Sequence, residues 1–339
     1  MPCYRQIRLQ DINLDDRRYS LRPFRQGPEQ TLLQSISTFG ILHPPLVLEQ
    51  QDHTFIVLSG KRRIEAYLQI YNANAQENQQ KKDRKYITAL TLTVKETANE
   101  ETEQEQLHLF TVLLQHQLLG GPLTPIEQAM FFQKAAAVLK KQNLLSFLPL
   151  LGLKPKPHIL GELISLLDLN LSVQQGIHEG RISQRSGKKL VRFSTGDQEK
   201  LADIIHEYQL GGSKQQKLLE RCFQLTKREQ ISVKELLDSW CDDRIKEKNL
   251  NGPQKTASLL RWLDQQYQPR LTKAEKEFKK FSAQLQFPVG VRLEHSLSFE
   301  EEQVTLHIDF SRKEELTKIW PKLEALLKQY YSGLEDNRP

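Results

Sequence analysis

The most chemistry in the least space lies at Ser59, Gly60, Lys61, Arg62 and Arg63. A glycine turn between an apolar run and a helix aims backbone N–H groups and the positive end of a helix dipole at one point, and here a lysine and two arginines share it. Such a place can hold phosphate. A plainer reading stays open beside it, in which Gly60 relieves the turn and the basic side chains are solvated. A second concentration of charge lies mid-chain, with Lys154, Lys156 and His158 at a turn and Arg181, Arg185, Lys188, Lys189 and Arg192 beyond it. It can contact the phosphates of a duplex, or it can be the solvated face of a helix. No catalytic residue and no metal-ligand set stands out. Cys3, Cys222 and Cys241 lie far apart, outside any CxxC or Cys/His spacing, as expected of free thiols in a reducing cytosol.

The elements that must position these residues follow from periodicity. Residues 55–58 (FIVL) are a β-rich run, and Ile64, Ala66, Tyr67, Leu68 and Ile70 fit a buried helix after the turn, which gives strand, tight turn, helix. Upstream, residues 4–12 alternate as a first strand, with Ile7 and Leu9 on one face. Residues 28–40 (PEQTLLQSISTFG) read as a helix closing on Gly40. Pro44 and Pro45 cannot donate to a ladder and belong at the entry of the next strand or on an edge. Residues 72–85 lack apolar periodicity and read as an excursion, 86–94 as a returning strand, 96–106 as an acidic helix leading into the apolar stripe of 107–118. Thr124, Pro125 and Glu127 spell an N-cap, a proline at N1 and a capping box.

Composition sets limits. With 339 residues, the chain suits two or three domains, each able to bury its own core. Its mean hydropathy is −0.56 and its pI about 9.0, with 48 basic against 42 acidic residues, a net charge of +6. That excess permits nucleic acid as a partner without demanding it. No apolar run approaches membrane-span length and the first residues lack a signal-peptide core, so a cytoplasmic protein without a membrane partner is expected.

The helix LLQSISTFG, the loop Gly40-Ile41-Leu42-His43-Pro44 and the turn Gly60-Lys61-Arg62-Arg63 with Ala66 resemble, in this order and spacing, the N-terminal domain of the ParB partition protein family. In that family the corresponding segments bind the phosphates and base of CTP. The resemblance therefore implies nucleotide binding by Gly40, His43, Pro44, Gly60, Lys61, Arg62, Arg63 and Gln117, with CTP and Mg2+ as cofactors. The Pro125-Ile126-Glu127 helix start also matches. Just before it the family carries Glu-Asn-x-x-Arg, for hydrolysis, magnesium and phosphate, where this chain has His116, Gln117 and Gly120. Histidine is a poor magnesium ligand, so the resemblance implies at most a weak CTPase with a degenerate hydrolysis motif. Alternatively, His116 and Gln117 are simply the polar end of a helix.

The resemblance continues to about residue 190. Residues 144–153, the turn Lys154-Pro155-Lys156-Pro157 and residues 158–169 read as helix, turn, helix, and Gly180-Arg181-Ile182-Ser183 matches the family phrase that follows its helix-turn-helix. This implies contact with double-stranded DNA through Lys154, Lys156, His158, Arg181, Arg185, Lys188 and Lys189. Two prolines and an apparent two-residue insertion occupy the turn, and Glu162 stands near a position where the family carries Asn. Glu162 could read a cytosine amino group or repel phosphate.

Helices follow at 214–225, 233–244 and 257–267, with Trp240 and Trp262 as core or docking anchors, a break at Asn251-Gly252-Pro253 and a linker-like helix over 269–280. At the end, 289–295 and 304–310 alternate as two strands around an acidic turn, and 314–331 is an amphipathic helix with Leu316, Ile319, Leu323 and Leu326 inward. A hairpin and one helix are too small to stand alone, and the segment resembles the family's dimerisation domain without the lysine-rich face of some relatives. The chain starts almost on its first strand, without the basic arm that partition proteins use on a ParA-type ATPase, so such a partner is engaged elsewhere or lacking.

The expected fold is α+β and mostly helical. A small N-terminal mixed α/β ParB-like domain (1–122) precedes an all-α helix-turn-helix domain (123–250), a helical linker (251–285) and a small hairpin-plus-helix dimerisation domain (286–332). The expected function is a dimeric, nucleotide-gated DNA clamp in chromosome or plasmid partition, nucleoid-associated. The alternatives are a site-specific transcription regulator with a degenerate pocket and a phosphotransferase or nuclease on the same N-terminal fold.

Overall fold

The computed structural model describes residues 2–21, 24, 27–75, 86–93, 100–243, 251–296, 299 and 303–335. The chain divides into two compact units, Met1–Leu219 and Glu220–Pro339.

The first unit begins with β1 (Cys3–Arg8), a turn of 3-10 helix (Leu9–Asp11) and β2 (Ile12–Asn13). Next come α1 (Gln30–Phe39), β3 (Leu46–Glu49), β4 (Phe55–Ser59), α2 (Lys61–Ala75) and β5 (Tyr86–Thr93). The five strands make one mixed sheet in the order β1-β5-β3-β4-β2. The single strand expected over 4–12 is thus two, because β1 pairs antiparallel with β5 while β2 pairs parallel with β4, at opposite edges. A continuous strand cannot serve both. All of β4 is buried, as its unbroken apolar run requires of a strand covered on both faces. Pro44 and Pro45 directly precede β3, and the Pro45 carbonyl accepts from Leu90 N–H at 2.8 Å. The helix after the turn starts at Lys61 and runs to Ala75, so residues 72–75, expected in the excursion, are helical. The rest of that excursion, Val94 and the start of the expected acidic helix lie outside the described residues.

Helix α3 (Glu100–Leu118) buries Leu109, Phe110, Leu113 and Leu114. Helix α4 (Pro125–Ala136) starts with the expected box: Thr124 Oγ1 accepts from Glu127 N–H, and Glu127 Oε2 accepts from Thr124 N–H. Phe131 packs edge-on to Phe110, Phe132 and Phe147, with ring centroids 5.7, 5.4 and 5.1 Å away. This aromatic knot joins α3 and α4 to the segment after α5 (Lys141–Leu145).

The helix expected over 144–153 does not form. Pro149 lacks an N–H and crowds the carbonyl four residues back, so α5 stops at Leu145, a 3-10 turn follows at Pro149–Leu151, and Gly152 closes it at φ +72°. The second helix is α6 (Pro157–Ile164), ending in a 3-10 turn at Ser165–Asp168 rather than reaching Leu169 as one helix. Then come α7 (Leu171–His178), α8 (Gln184–Leu190), α9 (Thr195–Glu207) and α10 (Gly212–Glu229), within which the unit boundary falls.

Three buried glutamines fasten these short helices. Gln174 donates to the Leu167 and Leu169 carbonyls, and Gln198 donates to the Phe193 carbonyl and accepts from Asn170 N–H. Gln215, 3% exposed, donates to the Arg181 and Leu210 carbonyls and accepts from Ser183 N–H and the Ser186 hydroxyl. A buried amide satisfied on both ends fixes loop geometry where short helices have little apolar area to do so.

In the second unit, α11 (Val233–Asp243) and α12 (Gly252–Tyr267) bury Trp240 and Trp262. Asn251 is the N-cap of α12 and forms a capping box with Gln254, so the expected break there is a helix start. Arg221 of α10 bonds Asp264 at 2.9 Å and lies 4.0 Å from the Tyr267 ring centroid. Helix α13 (Pro269–Gln284) has no buried residue. Strands β6 (Val291–His295) and β7 (Val304–Ile308) pair antiparallel, Leu293 opposite Leu306, and α14 (Lys313–Glu335) carries Pro321 in its interior. Leu323 of α14 is buried, while Leu316, Ile319 and Leu326 are half-buried. The expected acidic turn falls mostly outside the described residues.

Among the described residues no helix is long and apolar enough to cross a membrane. Cys3 is an exposed free thiol, and Cys222 is buried.

Candidate functional site

The turn after β4 is built around a position only glycine can fill. Gly60 sits at φ +92°, and a Cβ there would lie 2.9 Å from Pro45 Cβ and 3.0 Å from Pro45 Cα. The β3 entry therefore presses against the N-terminus of α2, where the Arg63 and Ile64 N–H groups donate to the Gly60 carbonyl at 2.9 and 3.2 Å and those of Lys61 and Arg62 lie ahead of the helical ladder. Gly40 ends α1 at φ 72°, ψ −165°, a conformation closed to residues with a Cβ, and turns the chain into the loop of His43 and Pro44.

The structure brings most of the predicted nucleotide residues to this turn, and it shows what their charges do. Lys61 Nζ donates to the Leu14 carbonyl. Arg63 donates to the carbonyls of His43 and, at 3.5 Å, Pro44. Arg62 pairs with Glu29, the N-cap residue of α1, at 2.8 Å. Its Nε is buried with no hydrogen-bond partner among the described residues.

His116, near the end of α3, joins the group. Its pKa is held below the usual histidine value, first by burial and then by the Arg63 charge, against a hydrogen bond with the Pro44 backbone, and with His43 a further lowering influence. The ring is therefore neutral at physiological pH. Its Nδ1 is buried without a partner among the described residues. Gln117 is half-buried beside it in sequence, and among the described residues no hydrogen bond ties its side chain to the turn. The result is a basic, partly enclosed corner of amides, guanidinium groups and one neutral imidazole. Among the described residues no group of three or more His, Cys, Asp or Glu is placed to hold a metal ion. A separate groove of about 380 Å³ between α1 and α2, lined by Leu33, Gln34, Ser37, Thr38, Gln69 and Ile70, has no charged side chain and lies apart from this corner.

The mid-chain basic residues are arranged differently. Lys154, Lys156 and His158 are all exposed, the last two at the N-cap and second position of α6. Leu160 and Leu163 turn inward, where α6 packs on α4, and Pro157, His158, Gly161 and Glu162 face outward. Arg185 of α8 is exposed. Two expected phosphate contacts are engaged within the chain: Lys188 pairs with Glu162, and Arg181 with Glu179 at 2.5 Å. Lys188 holds the Glu162 carboxyl below the usual range, with His158 adding to the effect. Lys189 is half-buried on α8.

Sequence reasoning missed the carboxylates that oppose these cations, Glu29 and Glu179, and the bonds of Gln174, Gln198 and Gln215 that shape the helical region. Glu29 had a legible signal, since an acidic residue directly before a helix start sits where an N-cap belongs. The glutamines had none.

No protein-family model matches the chain, and no curated protein does. Among solved structures, it is similar to the C-terminally truncated chromosome-partitioning protein ParB from Caulobacter crescentus complexed to the centromeric parS site. That match has 18% identity, covers 64% of this chain and 97% of that one, and has a TM-score of 0.28. The same protein complexed with CTP-gamma-S matches at 17% identity over 60% of this chain and 99% of that one, with a TM-score of 0.24. Superpositions of that quality do not establish a common arrangement of the whole chain, and the site stands on its own geometry.

Proposed function

We propose that the chain is a dimeric, ParB-like DNA-binding protein that loads on duplex DNA through α6 and binds a nucleotide at the α2 turn, as a gated clamp in chromosome or plasmid partition. The observation that supports this most is the outward face of α6. Its N-terminal end carries exposed Lys154, Lys156 and His158, α8 carries exposed Arg185, and the apolar side of α6 packs against α4. A helix presented end-on with cations around its first turn suits the major groove, its flanking cations positioning it on phosphates.

The α2 turn fits the phosphates of CTP. The Lys61 and Arg62 amides after Gly60 and the guanidinium groups of Arg62 and Arg63 would hold them, and His43 and Pro44 border the same space. Magnesium does not fit as well, because a hard cation wants oxygen ligands and this corner offers imidazole and guanidinium groups. The site is read as one that binds a nucleotide rather than cuts it. Dimerisation is assigned to residues 286–332, where Val289, Val304, Leu306, Phe310 and Trp320 are exposed on a module that buries little of its own.

A second reading, a site-specific transcription regulator without nucleotide control, is favoured by one observation. Arg62, Arg63 and Lys61 are already bonded within the protein. Mapping the bound DNA on the genome of origin by crosslinking separates the two. Occupancy spreading over kilobases from a few sites supports the clamp, and narrow isolated peaks support the regulator. Calorimetry adds the pocket: CTP binding lost in both Arg62→Ala and Arg63→Ala supports it, and unchanged binding defeats it.

A further inference from the structure

Helix α6 contains a residue that its own protein gives no reason for. Gly161 is in the helix interior, exposed, with helical backbone, and nothing lies within 4 Å of where a Cβ would be. A glycine there destabilises the helix by about 1 kcal/mol relative to alanine. Neither a positive φ nor a tight internal contact compensates. The open space leaves room for a partner to come closer to the backbone than a methyl group allows.

The next residue says what chemistry that partner presents. Glu162 is exposed on the same face as His158, one turn away, and its side chain is about half exposed. The ion pair with Lys188 uses Oε2, so Oε1 keeps its capacity to accept a hydrogen bond. The pair also neutralises a charge that phosphates would repel. Lys188 comes from α8, and α8 is fixed by the Gln215 bonds to Ser183 and Ser186, so the cation is held from a separate, rigid element. A carboxylate only accepts. In the major groove the donors are the amino groups of cytosine and adenine, and adenine sets the N7 acceptor beside its own, where a carboxylate is repelled. Cytosine is left.

We propose that Glu162 is the base-reading residue of α6, accepting from the N4 amino group of a cytosine. Gly161 is the point of closest approach to the duplex, and Lys188 the cation that orients and neutralises the carboxylate. This rests on the assignment of α6 to duplex DNA and adds the residue and the base.

The test is selection from a randomised duplex library with the full chain at one fixed salt concentration, followed by fluorescence anisotropy on the selected duplex. The wild type enriches a site with one C·G pair whose replacement weakens binding roughly 10- to 100-fold. Glu162→Gln moves the preference at that pair alone to A·T, and Glu162→Ala erases it. If both variants keep the wild-type preference at every position, the proposal is overturned while the DNA assignment stands. If the wild type retains no duplex at all, the DNA assignment falls first and takes the proposal with it. Gly161→Ala supplies a readout that a structural role cannot imitate. It raises Tm by a few degrees and weakens binding to every duplex, whereas a raised Tm with unchanged binding removes Gly161 from the interface.

Discussion

The two basic regions of the first unit look alike as strings of letters and differ in what their charges are free to do. At the α2 turn, Lys61 and Arg63 are bonded to backbone carbonyls and Arg62 to Glu29, so the cations hold loops in place. Around α6, Lys154, Lys156, His158 and Arg185 project into solvent. Local charge density is thus a poor guide to charge available for a ligand. A pinned guanidinium meets an anion only by sharing or exchanging its partner, and an exposed ammonium meets one at the cost of displacing water and ions.

The comparison breaks most severely at the turn. Gly60→Ala forces a Cβ against the Pro45 backbone at a positive φ, and is expected to lower stability by about 3 kcal/mol, read as a shifted denaturant midpoint with unchanged slope. If the midpoint barely moves, the turn is not the rigid element described. On the other side, Gln215→Leu strands Ser183 N–H and the carbonyls of Arg181 and Leu210, at a cost of about 2 kcal/mol. Because those bonds fix α8, the same variant should also reduce DNA discrimination by the folded fraction.

Salt sharpens the contrast. Lys154→Ala with Lys156→Ala is expected to reduce the slope of log K against log salt for duplex binding by about 2, since each phosphate contact contributes about 0.9. Global stability should stay within about 0.5 kcal/mol, because both side chains are exposed. An unchanged slope would show these lysines to be merely solvated.

The smallest effect is on pH dependence. His116 has a folded-state pKa below its ordinary 6.5, so the unfolded chain takes up the proton first. Its contribution is complete above the unfolded value and is lost as pH falls through it toward the folded one. Wild type should therefore lose more stability than His116→Gln between pH 7.5 and 5.5, and parallel losses would show that the ring is not buried against Arg63.

Much of this architecture was legible in local patterns. The capping box at Thr124, the cap at Gly40, the β4 run and the strand-turn-helix around Gly60 depend on residues within a few positions of one another, and the structure has them as read. What failed locally was the helix over 144–153, where the apolar run outweighed Pro149. What could not be read is long-range: that residues 4–12 feed both edges of a sheet, that Glu29 meets Arg62 and Glu162 meets Lys188, and that Gln174, Gln198 and Gln215 are inside. Buried amides and ion pairs are recognised by their partners, and partners 26 or 33 residues away leave no periodic trace.

The strand order also sets a schedule for the chain as it is made. Strand β1 leaves the ribosome well before β5, yet its ladder among the described residues is with β5, and Cys3 meets Thr91 across 88 residues. At about 5–20 residues per second, β1 waits on the order of ten seconds for its partner. Meanwhile β3 and β4 can close as a hairpin through a short connection, leaving the β3 edge open until β5 arrives to fill it from one side and accept β1 on the other. The sheet is completed outward from the strand that leads into Gly60, and β1 is fastened last.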